Sequence, residues 1–110
     1  MKKEMFSHEI SVLRNTFRRL LRRHAHTNLT KIIQKTHPAD LAVLFRYFTD
    51  IEQKTLFGLM IEKEHTAEFL TELDEGILVK ILENEDPERI VTIFHKLGSN
   101  DQAEILNLLS

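Results

Sequence analysis

Asp101 and Glu104 stand three residues apart, a spacing that puts both carboxylates on one helix face and lets them offer oxygens to the same hard cation. The competing reading is a pair of solvated surface acids. His24 and His26 are two apart, which on a helix sends their rings to different faces, so the pair suits chelation only in an extended segment. Solvated histidines are the simpler reading. A basic cluster is the third candidate: Arg14, Arg18, Arg19, Arg22 and Arg23 fall within ten residues and could meet anionic lipid headgroups or an acidic partner. Nucleic acid suits them least, because no Gly-rich or aromatic-interleaved reading element accompanies the arginines. Catalytic chemistry has little footing here, since no HExxH, Gly-rich phosphate loop or serine elbow occurs. His37 sits where a helix cap would, His65 begins a helix, and His95 lies between Phe94 and Lys96 beside a buried stripe. With three glycines there is little material for a lid or an anion loop, and no enzyme is expected.

The elements that must carry these groups are written in a repeat. Leu44, Phe45 and Phe48 recur as Phe69, Leu70 and Leu73, and again as Ile93, Phe94 and Leu97, steps of 25 and then 24 residues. Leu56 and Phe57 become Ile81 and Leu82, then Ile105 and Leu106, by the same steps. Two helix-length apolar clusters per unit, with no β-rich runs, predict stacked helical hairpins, a short all-α solenoid. Punctuation agrees with the period. Pro38 and Pro87 fit the first helical position, where a missing amide hydrogen costs nothing, and Asp40 then lies where the helix dipole favours negative charge. Thr49 with Glu52, and Ser99 with Gln102, read as capping boxes. Asp74 and Asp86 read as N-caps, with Leu73 and Leu78 as a hydrophobic staple around the first of them. The helix after Thr49 offers Ile51, Leu56, Leu59 and Met60, the second repeat starts at Glu64, and Gly98 is expected to close a helix in the left-handed conformation.

Before the repeats, Glu4 to Ala25 carries Phe6, Ile10, Leu13, Phe17 and Leu20 at four, three, four and three, a narrow helical seam with the arginines mostly off it. Its simplest role is an N-terminal cap on the solenoid. A polar break follows, where Thr27 or Asn28 can cap a short helix through Gln34 that turns Leu29, Ile32 and Ile33 to the core. The net charge of −2 conceals an asymmetry: residues Met1 to His37 hold nine basic and two acidic groups, and those from Pro38 onward hold six basic and fifteen acidic. The domains expected are therefore a basic helical arm, 1–36, and an acidic repeat domain, 37–110. The absence of cysteine excludes a disulfide framework and thiolate zinc, and fits a reducing compartment such as the cytosol. No apolar run approaches the length of a membrane span. Leu108-Leu109-Ser110 leaves an apolar end, so a further helix or domain is expected to cover it, the sequence being a piece of a longer protein.

His37-Pro38-Ala39-Asp40-Leu41-Ala42, with Ala67-Glu68-Phe69-Leu70, Glu72-Leu73-Asp74 and the stretch Ile90 to Leu97, resembles the intracellular N domain of MgtE magnesium transporters. The likeness covers His37 to Ser110 and leaves the arginine arm outside. It implies a right-handed superhelix on the cytosolic side of the inner membrane, followed by a pair of CBS domains and a transmembrane pore. It also implies regulation, with Mg²⁺ filling the space between acidic faces of the N and CBS domains, held weakly and shared, and homodimerisation through the parent protein. Aligned through Ala67-Glu68, the family's interface acids fall on Glu68, Asn100 and Glu104, with Asp101 adjacent. Asn100 departs from the pattern, since an amide offers a carbonyl oxygen without charge, and the site should be weaker for it. The middle domain of the flagellar switch protein FliG is built from similar hairpins, so the alternative is a protein-interaction adaptor that binds no metal. A third reading is a nucleic-acid or membrane-surface binder acting through Arg14 to Arg23.

Overall fold

The computed structural model describes residues 2–60 and 66–109, with the side chains of 8–60 and 66–108. All secondary structure among the described residues is helical: α1 (Lys2–Arg22), α2 (His26–Lys35), α3 (Pro38–Phe45), α4 (Asp50–Met60), α5 (Thr66–Glu72), α6 (Glu75–Glu83), α7 (Pro87–Phe94) and α8 (Ser99–Leu109). The even-numbered helices α4, α6 and α8 begin 25 and then 24 residues apart. None of the described helices is long and apolar enough to cross a membrane.

Local chemistry sets most starts. The His37 ring accepts from the Ala39 amide at 3.1 Å, ahead of Pro38 at the first helical position. Asp74 accepts from the Gly76 amide at 3.1 Å, and Asp86 accepts from the Glu88 amide at 3.0 Å. Thr49 and Glu52 exchange bonds as a capping box, the Thr49 amide donating to Glu52 at 2.8 Å and the Glu52 amide to the Thr49 hydroxyl at 3.2 Å. Leu73 and Leu78, the staple around Asp74, are both buried.

Packing then arranges the helices in two rows. One runs α1, α3, α5, α7; in the other, α2 packs on α4 and α6 on α8. Lys80 bridges α6 to Asp50 of α4 at 3.1 Å. The core follows the rows, with Phe17, Phe45, Phe57 and Phe69 fully buried. Phe45 meets Phe69 edge-on at 4.7 Å between centroids, and Phe17 reaches Phe48 at 6.0 Å. The first hairpin, α1 and α2, thus continues both rows and covers the N-terminal end of the stack, as a capping hairpin does.

Four local expectations are corrected. The second helix begins at His26 with Ala25 as its N-cap and no side-chain cap bond, so neither Thr27 nor Asn28 caps it. The cause lies upstream: His24 adopts φ 53°, the Ala25 amide donates to the Leu20 carbonyl at 3.0 Å and the His24 amide to the Leu21 carbonyl at 3.1 Å. This closes α1 as a Schellman motif with histidine where glycine is usual, and leaves only Ala25 to enter α2. Gly98 is not left-handed; its carbonyl accepts the Gln102 amide at 3.0 Å and it opens α8 instead of closing α7. The Ser99–Gln102 capping box does not form, because the Gln102 side chain turns back to the carbonyls of Phe94 and Leu97 at 2.7 and 3.1 Å. Ile51 is 80% exposed, lying at the mouth of a groove beside Lys80 and Ile81 of α6 and not in the core. The expected helix starts at Glu64 and His65, and the side chains of Phe6 and Leu109, lie outside the described residues.

The left-handed histidine makes a test of this closure. His24→Gly should raise stability by about 0.5–1 kcal/mol, and His24→Val should lower it, because a β-branched side chain tolerates φ above zero least. Urea unfolding of the two variants against the parent checks the opposite signs.

Candidate functional site

Glu68 lies in the first turn of α5, exposed to solvent. Asn100, Asp101 and Glu104 lie in the opening turns of α8, Asp101 half-buried and the other two exposed. Asp101 and Glu104 share a helix face as their spacing requires. α5 packs on α3 and α7, and α8 packs on α6, so Glu68 and the α8 acids belong to different rows of the stack. None of the ion pairs among the described residues engages Glu68, Asp101 or Glu104; the basic partners are Arg18 with Glu52, Lys80 with Asp50, and Arg89 with Glu85. Among the described residues, no three His, Asp or Glu side chains converge closely enough to hold a metal ion. The donor set suits a hard, water-retaining cation only in part: two carboxylates on one helix face can take a share of its shell, and the rest must come from water or another surface.

The five arginines divide into two groups. Arg14 and Arg18 turn inward. The Arg14 guanidinium sits 5.4 Å from the centroid of the Tyr47 ring, while Arg18 donates to the Tyr47 carbonyl and lies 3.9 Å from Glu52. Glu52 therefore serves twice, one oxygen closing the capping box of α4 and the other facing Arg18 of α1. Arg19, Arg22 and Arg23 are exposed and are the part of the cluster open to a partner. Sequence spacing placed the arginines mostly off the apolar seam but carried no sign of Tyr47, which lies 29 residues from Arg18.

Among the described residues histidine offers no site. The rings of His24 and His26 lie 6.4 Å apart between centroids and both residues are exposed. His37 is a cap, His95 is the exposed C-cap residue of α7, and His65 lies outside the described residues.

Two glutamines were missed as functional parts of the scaffold. Gln53 is buried and its amide donates to the carbonyls of Phe45 and Phe48 at 2.8 and 3.2 Å. Gln102 makes the same two bonds, eight and five residues back, at the α7–α8 junction. A signal was present, since the two glutamines are separated by the same two repeat steps as the two prolines.

Compared with families of known proteins, residues 36–110 match the model of the MgtE intracellular N domain. No curated protein and no solved structure matches the chain.

Proposed function

We propose a cation-sensing role from one premise: the chain belongs to the MgtE intracellular N domain family. That family is a regulatory part of magnesium transporters and not a catalytic one. The observation that carries the finer reading is the Asp101–Glu104 pair on one face of α8, with no basic partner among the described residues. Asn100 adds a carbonyl oxygen beside it, and Glu68 adds a carboxylate on the other row. Magnesium gives up its hydration shell reluctantly, so such an incomplete set holds it weakly and through water. The missing acids would come from the CBS domains of the same parent protein.

Shared binding of this kind couples ion concentration to domain position. Two acidic faces repel when bare, and an ion that binds only their apposed state shifts the population toward it. The domain then needs no pocket of its own. Its part is to hold Asp101 and Glu104 on a helix that buried Ile105, with Leu97 in the turn ahead of it, fixes to the stack.

The test is amide NMR during a magnesium titration, with sodium chloride at matched ionic strength and calcium for comparison. In the isolated chain the shifts should be shallow and centred on Asp101 and Glu104. With the adjoining CBS pair attached they should saturate in the millimolar range, and Asp101→Asn with Glu104→Gln should abolish the saturation. Shifts reproduced by sodium chloride with the CBS pair present would overturn the reading.

A further inference from the structure

The same apolar positions occur in three successive hairpins; Ile93, Leu97 and Ile105 of the third are buried like their equivalents, but three other positions lose cover there. Phe45 and Leu70 are 0% and 1% exposed, but their equivalent Phe94 is only partly covered. Phe57 and Leu82 are 0% and 3% exposed, whereas Leu106 is 57% exposed. Ala42 is buried, Ala67 is half-buried, and Val91 at the same position is 55% exposed. What covers the first two sets is visible: α5 lies on α3, and α7 lies on α5. Ile90, Val91, Phe94, His95, Gln102 and Leu106 are left lining an open apolar groove of about 360 Å³ between α7 and α8.

We propose that this groove is a docking surface for a helical hairpin carrying the same apolar repeat, seated on α7 as α7 is seated on α5. The occupant follows from continuity with the interfaces already formed. Each step of the row presents one aromatic or aliphatic pair to the next, as Phe45 does to Phe69, and Phe94 is the member of that series awaiting its partner. The partner helix needs apolar side chains spaced i, i+3, i+4 and i+7, with a second helix to meet Leu106. This inference rests on burial and repetition, and stands apart from the cation reading.

A second copy of residues 86–110 joined after Ser110 supplies such a hairpin and keeps the repeat step. Linkage in cis matters, because a free 25-residue probe would lose most of its binding free energy to ordering. The extended chain should unfold in one urea transition at a higher midpoint, its folding equilibrium constant raised at least about tenfold by the new nearest-neighbour contact. Leu106→Glu in the first copy should cancel that gain while leaving the unextended chain nearly unchanged, since Leu106 is already mostly exposed. A separate transition for the added unit, an unchanged midpoint, or a gain that survives Leu106→Glu would overturn the proposal. So would sedimentation showing that the unextended chain dimerises and that Leu106→Glu dissolves the dimer.

Discussion

Phe45→Ala is expected to lower the unfolding free energy by about 3–5 kcal/mol, a large part of the total that a domain of this size possesses. Phe45 is fully buried at the contact between α3 and α5, with Phe69 at 4.7 Å and Phe48 at 6.1 Å between ring centroids. Removing the ring takes away the edge-on pairs and leaves a cavity in the contact between α3 and α5, where Leu41, Ala42, Leu44 and Leu70 are buried beside it. Phe94→Ala is the matched control, at the same repeat position but only partly covered, and should cost less than about 1.5 kcal/mol because water already reaches the site. Urea unfolding followed by circular dichroism distinguishes the two. Equal losses would mean that Phe94 is as well covered as Phe45, and would remove the basis for reading the groove beside it as an open docking face.

That contrast between equivalent positions also marks what could be read from the sequence. The apolar stripe and the caps were legible, because each depends on residues within one turn of each other: Pro38 after His37, Asp74 before Gly76, Thr49 with Glu52. Two of the exceptions involve a side chain with two local choices, decided by a neighbouring closure. Thr27 and Asn28 are good caps, but His24 had already turned the chain through a left-handed conformation that histidine seldom adopts. Gln102 fits a capping box with Ser99 on paper, yet its amide turns back to the carbonyls at the end of α7, joining the Leu97 amide on the Phe94 carbonyl and donating to the Leu97 carbonyl as well.

The functional surfaces were legible to a smaller degree. Spacing put Asp101 and Glu104 on one face of a helix, and the helix is there. Spacing could not say that Arg14 and Arg18 leave the arginine cluster to clamp Tyr47 and Glu52, because that contact spans two rows of the stack. The same limit applies to exposure. Ile51 and Leu106 carry the same hydropathy as residues in the core, and only the arrangement of neighbouring helices decides that one is 80% and the other 57% exposed. The family match accounts for the repeat part of the chain, residues 36–110, while the docking of α1 has to be argued from its own contacts, Arg14, Arg18, Phe17 and Ile10 among them.

The buried amide of Gln53 offers the second large effect. Gln53→Leu removes the amide, takes the side-chain donor from the Phe48 carbonyl and leaves the Phe45 carbonyl only the Phe48 amide at 3.3 Å, and should destabilise by about 2–3 kcal/mol, the cost of one buried acceptor stranded and a second weakened. Gln102→Leu should cost about 1 kcal/mol, because its site is only partly buried and water can replace the amide. Gln53→Glu gives an independent check on the mechanism. An ionised carboxylate would face two carbonyls, whereas the protonated acid can still donate one bond, so this variant should lie closer to wild type at about pH 4 than at about pH 7. The sign follows from linkage: a carboxyl that the folded state prefers protonated loses stability as pH rises above its unfolded value. If Gln53→Leu were neutral and Gln53→Glu showed no pH dependence, the junction between α3 and α4 would be held by its apolar contacts alone. If the expected order holds, the pair of glutamines is the polar latch that fixes the α3–α4 and α7–α8 turns. The second latch then sets the walls of the groove, since Gln102 lines it beside Phe94 and Leu106.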